Sequence, residues 1–195
     1  SNKKMKNRRK KFAVLLIDDQ NDFCSIKGSL SVPGAEKDNE RLGKWIKNNG
    51  DHIDHISFTL DTHAVNDISH PTLWRDKNGN MPKPFTAILH HMILAGEYTP
   101  VAFVREITEY VRRLEEIAAE EVKQGIPFPI PVHLIWPIHC VAGSEGAALD
   151  PVISEALAHW SALNPYNIPL PTVKGDYPLS EHFGAFEAQV PDINY

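Results

Sequence analysis

Residues 12–18, with the sequence FAVLLID, form the feature that most constrains the fold of this chain. The run is apolar without interruption and ends in the carboxylate of Asp18. A strand that is buried on both faces has this composition, whereas a strand with one solvated face alternates apolar and polar residues. Strands buried on both faces belong to parallel sheets that helices cover. The run therefore predicts a buried parallel strand with a polar group at its carboxyl end.

Helical and extended patterns alternate along the rest of the chain. The predicted helices are residues 34–49, 108–125 and 150–163, and the further predicted strands are residues 52–63, 131–140 and 170–175. Thr108 and Asp150 are the expected N-caps of the second and third helices, and Gly125 follows the end of the second. This alternation predicts an α/β fold with a mainly parallel sheet.

Length, charge and cysteine content limit the classes of protein that fit. The chain has 195 residues, a net charge of −5 and two cysteines. It suits a single domain over residues 12–195, with a basic arm at residues 1–11 and an insertion at about residues 64–107. The negative charge argues against nucleic acid or an anionic membrane as partner, and no apolar stretch approaches the roughly 20 residues that span a bilayer. We expect a cytoplasmic protein with reduced cysteines.

Polar side chains follow each of the first three predicted strands. Asp18 ends the first strand, Asp61 and His63 end the second, and His139 ends the third. Ligands of α/β folds bind outside the carboxyl ends of the strands, so these groups converge in one crevice if the strands are neighbours. Asp61, His63 and His139 then supply a carboxylate and two imidazoles, a set that suits zinc, iron or manganese and leaves coordination positions open.

A structural interpretation of the same residues stays open at this point. Asp61 and His63 would then cap the element that follows, and His139 would be a partly buried histidine with no ligand. His70 and Asp67 lie close in sequence to the candidate site, and either is a candidate further ligand.

Several motifs, taken in order, resemble the nicotinamidase branch of the isochorismatase-like cysteine hydrolases. They are LLIDDQNDFC, GSLSVPGAE, LDTH, WPIHCVAGSEGAAL and VKG. The resemblance extends from about residue 12 to about residue 188 and is closest to the larger members, which carry extra material between the second and third strands. It implies a three-layer αβα fold and a metal-assisted amidohydrolase that converts nicotinamide or a similar small amide to the acid and ammonia.

The resemblance also implies roles for individual residues. Asp18 matches the catalytic acid/base and Lys174 the catalytic lysine, whereas Asp19 falls where the family is usually apolar. The metal ligands of the family match Asp61, His63 and His139. Phe23 and Trp136 match aromatic positions that pack against the substrate ring, although core packing explains either one almost as well.

Neither cysteine matches the family's nucleophile, which stands on a later strand-to-helix turn beyond the lysine. Cys24 and Cys140 are the only cysteines, so we expect the chain to end before the catalytic cysteine and the last strands of the sheet. Three explanations are open: a truncated hydrolase, an inactive relative that binds a metal or small ligand, or a site completed by another chain. The chain alone is then expected to be inactive, and association into homo-oligomers is expected for this fold.

Overall fold

The structure is a computed structural model that describes residues 10–191, so residues 1–9 of the predicted basic arm lie outside the described part. The strands are β1 (Ala13–Ile17), β2 (His55–Asp61), β3 (Trp74–Asp76), β4 (Ala87–Ile88), β5 (Tyr98–Pro100), β6 (His133–Leu134) and β7 (Pro171–Lys174). The helices are α1 (Asn21–Cys24), α2 (Ala35–Asn49), α3 (His90–Leu94), α4 (Val104–Gln124) and α5 (Pro151–Leu163).

A three-stranded parallel sheet in the order β1-β2-β7 forms the framework. In its register Ile17 pairs with Thr59, and Asp61 pairs with Lys174. The α/β class with a mainly parallel sheet is therefore confirmed. Because the strands run in the same direction, their polar carboxyl ends meet at one edge of the sheet.

Helices α2 and α5 pack against each other and against one face of this sheet. The shared core consists of Leu16, Ile46, Ile53, Ile56, Phe58, Ile153, Ala156, Leu157 and Trp160. Asp150 caps α5 as predicted, since its Oδ1 accepts a hydrogen bond of 2.8 Å from the Val152 amide. Pro151 occupies the first helical position, where a missing amide hydrogen costs nothing.

A second core packs α4 against the residues between β2 and α4, against Ile135, and against residues that follow β7. It contains Ile68, Leu73, Trp74, Ile88, Ile107, Tyr110, Val111, Leu114, Ile135, Leu179 and Val190. The boundary predicted for this helix was wrong at its start: α4 begins at Val104, and the Thr108 hydroxyl donates to the Val104 carbonyl inside the helix. Gly125 ends α4 with a φ of 72°, as expected for a C-terminal glycine.

Two predictions about the strands were wrong. Residues 131–140 contribute only β6, which pairs antiparallel with β4 and not with the main sheet; the third strand of the main sheet is β7. The first strand is also not buried on both faces, because Leu15 is 52% and Ile17 is 64% exposed in the described residues. Its inward residues, Val14 and Leu16, face the α2–α5 core.

Among residues 10–191, no helix combines the length and the apolar character needed to cross a membrane. Both cysteines are free and buried, as expected for thiols that do not pair.

Candidate functional site

Asp18 and Lys174 are in direct contact at the carboxyl end of the sheet. Lys174 Nζ lies 2.8 Å from Asp18 Oδ2 and 3.3 Å from Asp61 Oδ1. Asp18 is also held by the central strand, because the Thr59 hydroxyl donates to Asp18 Oδ1 at 2.6 Å. The buried ammonium group thus joins two carboxylates that come from the ends of two neighbouring strands.

Asp61, His63 and His139 form a compact group of potential metal ligands. Their ligand atoms all lie within 4.8 Å of one another, and the three residues are buried. Asp61 Oδ2 lies 3.0 Å from His63 Nε2 and 3.3 Å from His139 Nε2. His139 reaches the group from a loop and not from the end of a strand of the main sheet. A parallel bridge between His63 and Val141 fixes this loop beside the end of β2.

The remaining ring nitrogens of both histidines face hydrogen-bond acceptors. His139 Nδ1 donates to the Pro137 carbonyl at 2.7 Å, and His63 Nδ1 lies 3.2 Å from Asp67 Oδ2. A metal that binds at Nε2 would displace the proton there, while each Nδ1 could keep its proton and its acceptor. Metal-bound histidines in proteins are usually held in this way. The chemistry of the donor set and its supporting hydrogen bonds therefore fit a divalent metal such as zinc, iron or manganese.

His70 and Asp67 lie behind the ligand group and are not part of it. His70 Nδ1 lies 3.2 Å from the Val65 carbonyl, and its Nε2 accepts a hydrogen bond of 3.4 Å from the His139 amide. Burial lowers the pKa of His70 to about 4, so its ring is neutral at pH 7. His70 and Asp67 each contact one histidine of the candidate ligand group.

Hydrogen bonds and charges in the site outweigh the effect of burial. Burial by itself would lower the pKa of His63, but hydrogen bonds to Asp61 and Asp67 raise it to about 10. Burial also opposes the charge of Asp61, yet hydrogen bonds to His139 and His63 hold the pKa of this carboxyl well below its usual range. The pKa of Lys174 is raised despite burial because Asp61 and Asp18 are close. Asp61 and Lys174 are therefore charged at neutral pH.

Two residues of the first motif hold the ligand-bearing segments in place, a role that the sequence did not reveal. The buried Gln20 side chain donates to the Asp61 carbonyl at 2.7 Å and accepts from the Asp61 amide at 2.7 Å. Asp22 Oδ2 accepts a hydrogen bond of 2.7 Å from the amide of Cys140, the residue after His139. The sequence signal for this role is that Gln20 and Asp22 are polar residues that follow shortly after the end of β1.

Gly175 is required by the close packing of the site. It has a φ of 73°, and an added Cβ would lie 2.7 Å from Asp61 Oδ1 and 2.8 Å from His63 Cε1. Both distances are shorter than any normal contact of a Cβ atom. The VKG motif therefore combines a charged residue with the space that the neighbouring Asp61 and His63 need.

A cavity of about 200 Å³ opens onto these groups. It is lined by Asp18, Phe23, Leu30, Asp61, His63, Trp136, His139, Lys174, Glu181, His182 and Phe183. The structure thus brings together all seven residues that the sequence predicts for the site. Ligand pockets for drug-sized molecules have about 300–1,000 Å³, so this cavity suits a smaller ligand. Asp19 does not line it.

Glu181 is a residue of the cavity that the sequence analysis missed. Its side chain is 5% exposed, and its Oε1 accepts no hydrogen bond from residues 10–191. Burial, with the charge of Asp67 adding to it, raises the pKa of Glu181 to about 8. Nε1 of Trp136 is also buried without a partner in the described part of the chain. The sequence carries only a weak signal for Glu181, which is a carboxylate seven residues after Lys174 in the stretch PLSEHF.

The two cysteines lack the surroundings of a reactive thiol. Neither lines the cavity that contains Lys174. Burial raises the pKa of Cys140, and the charges of Asp61 and Asp22 raise it further. Burial likewise raises the pKa of Cys24. Reactive cysteines have a lowered pKa and partial exposure, so neither residue resembles one.

Comparisons with solved structures identify the fold. The yeast nicotinamidase, also solved with the inhibitor nicotinaldehyde, superposes with a TM-score of 0.55 and 20% identity over 90% of this chain and 62% of the yeast chain. A nicotinamidase/pyrazinamidase from Acinetobacter baumanii gives a TM-score of 0.53 and 18% identity over 95% of this chain and 62% of its own. This chain thus spans about three fifths of the length of these structures. No family model and no curated protein matches the sequence. The described residues have the nicotinamidase fold.

Proposed function

We propose that this chain carries the acid/base and metal-binding parts of a metal-assisted hydrolase for small amides such as nicotinamide. One observation carries the proposal: Lys174 contacts both Asp18 and Asp61, so the acid/base pair and the metal-ligand group share one cavity. The cavity volume of about 200 Å³ supports a small ligand. Trp136 and Glu181 line the cavity, and an indole N–H with a carboxyl group supports an amide ligand, which offers both a donor and an acceptor.

The proposed reaction is a thiol-dependent hydrolysis. A thiolate attacks the amide carbon, the carbon–nitrogen bond breaks, ammonia leaves, and water converts the acyl-enzyme to the acid. Asp18 takes the thiol proton and delivers it to the leaving ammonia, and the charge of Lys174 favours the thiolate. A divalent metal held by Asp61, His63 and His139 would bind the ring nitrogen of the substrate or a water. Phe23 and Trp136 would pack against the substrate ring.

The nucleophile must be a thiol other than Cys24 and Cys140, since both are buried, neither lines the cavity that contains Lys174, and the pKa of each is raised. This observation favours a second function for the chain by itself, which is to bind a divalent metal and a small ligand without turnover. A cytoplasmic location and assembly into homo-oligomers remain predictions from the sequence.

Metal content and ammonia release test the two functions. Elemental analysis should find a divalent metal in the wild-type chain and in His91→Ala, an exposed control, and less metal in His139→Ala. If the wild type releases ammonia from nicotinamide and Lys174→Ala does not, the result supports the hydrolase. Metal and nicotinamide binding without ammonia release supports the second function. A wild-type chain that binds no zinc, iron or manganese contradicts both.

A further inference from the structure

The edge of β1 that faces away from β2 is open. In the described residues β1 pairs with β2 alone, and the order β1-β2-β7 places it at one side of the sheet. Phe12 turns both of its backbone groups toward the start of β2, because its amide donates to Asp54 Oδ2 and its carbonyl accepts from the Asp54 amide, each at 2.8 Å. Successive residues of a strand point these groups to opposite sides. The N–H and C=O groups of Ala13, Leu15 and Ile17 therefore point to the open edge.

β1 lacks the features that keep an edge strand from pairing. Its sequence, AVLLI, contains no charge and no proline. Leu15 and Ile17 are 52% and 64% exposed, on the face that α2 and α5 do not cover. β7, at the other side of the sheet, begins with Pro171 and ends with Lys174. Proline and charge protect an edge, whereas an uninterrupted apolar edge is a template for another strand, so β1 is the edge that a further strand can join.

The two ends of β1 carry opposite charges. Lys10 and Lys11 are exposed and precede the strand, and Asp18 and Asp19 follow it. A cavity of about 300 Å³ at the carboxyl end of β1 is lined by both aspartates. Burial, with the charges of Asp150 and Asp18 adding to it, raises the pKa of Asp19 to about 6. A cation placed at this end of the strand would relieve the repulsion between these carboxylates.

We propose that the open edge of β1 binds β1 of a second copy of this chain, in the antiparallel direction, around a two-fold axis at Leu15. In this register Leu15 lies opposite its own copy and Ala13 lies opposite Ile17. Only this register pairs the outward N–H and C=O groups of all three residues within the strand. It also places Lys11 of one copy opposite Asp19 of the other. The backbone groups and the charges thus select the same arrangement.

The association state of the full chain tests the contribution of the charges. Sedimentation velocity should show a monomer–dimer equilibrium that Lys11→Glu and Asp19→Lys each weaken by about tenfold, because each substitution places like charges opposite one another. The double variant Lys11→Glu/Asp19→Lys should restore the dimer, a rescue that a loss of folding would not produce. Lys44→Glu, at an exposed position of α2, is the matched control and should associate as the wild type does.

Cysteine cross-linking tests the register, since both native cysteines are buried. Under mild oxidation Leu15→Cys should form a covalent dimer, because opposite residues of an antiparallel pair have Cα atoms about 5 Å apart, within reach of a disulfide. Ile17→Cys is the control: Ile17 is more exposed than Leu15, but its two copies would lie about 14 Å apart and should not cross-link. A mixture of Ala13→Cys and Ile17→Cys should cross-link, because these residues lie opposite each other.

Three results would overturn the proposal. One is a wild-type chain that stays monomeric at about 100 μM, which would leave the edge to a strand of another polypeptide. The others are equal cross-linking of Leu15→Cys and Ile17→Cys, and a double charge reversal that associates no better than the single variants. Neither measurement depends on metal binding or ammonia release, so failure here would leave the proposed function untouched.

Discussion

Replacing Glu181 with glutamine should remove a pH-dependent cost to stability. The carboxyl group is buried, and its pKa is raised to about 8 from an ordinary value of 4.5. Between these values the folded chain keeps a proton that the unfolded chain releases. The free energy of unfolding of the wild type therefore falls as the pH rises from about 4.5 to about 8. Glutamine does not titrate, so the variant lacks this fall.

The size of the effect follows from the two pKa values. One pKa unit corresponds to about 1.4 kcal/mol. Because small parts of the titration lie below pH 5 and above pH 8, the difference in unfolding free energy between Glu181→Gln and wild type should grow by about 3.5 kcal/mol from pH 5 to pH 8. If the glutamine side chain is buried without a hydrogen-bond partner, its cost changes the difference by the same amount at every pH. Such a cost does not alter the growth of the difference with pH.

Urea unfolding of the metal-free chain, with a chelator present, measures the difference at each pH. Glu187→Gln is the matched control, because this exposed glutamate lies six residues away and should leave the pH dependence unchanged. A difference between Glu181→Gln and wild type that stays constant from pH 5 to pH 8 would refute the reasoning. It would mean that Glu181 is already ionised in the folded protein.

Three further substitutions test other parts of the structure. Lys174→Met should lower the free energy of unfolding by about 3 kcal/mol because the buried Asp61 and the half-buried Asp18 lose their shared cation. Urea unfolding checks this loss, with the exposed Lys44→Met as control, and equal losses in the two variants would contradict it. Gly175→Ala should weaken zinc binding in chelator competition, since the added Cβ would collide with the Asp61 carboxylate. Unchanged zinc affinity would show that Asp61 can move aside without loss of binding. Asp150→Ala should cost about 1 kcal/mol through loss of the α5 cap, as measured by thermal unfolding.

The sequence by itself determined the class of fold and the chemical types in the site. The apolar run before Asp18 and the Asp-Pro start of α5 act through neighbours in the chain, so their local patterns predicted a strand and a helix correctly. The position of Asp61 and Lys174 at strand ends follows from the same patterns, because parallel strands present their carboxyl ends at one edge.

Local patterns were insufficient where distant contacts decide the structure. Residues 131–140 have the composition of a strand, but their neighbours in space are β4 and the end of β2, so only β6 forms and His139 lies on a loop. Thr108 resembles an N-cap, yet the helix begins earlier, where Ile107 and Tyr110 are buried in the second core. Packing against the rest of the molecule outweighed the preference of a single residue in both cases.

The supporting contacts of the site were decided by the tertiary structure alone. The Gln20 side chain forms hydrogen bonds with the Asp61 backbone, 41 residues away in the sequence, and Asp22 accepts one from the Cys140 amide, 118 residues away. The burial of Glu181 and the contact of Asp67 with His63 likewise arise only after the sheet, the loops and the second core have assembled. A sequence names the donors and acceptors of a chain, but the distance and angle that make a hydrogen bond are set by the folded backbone.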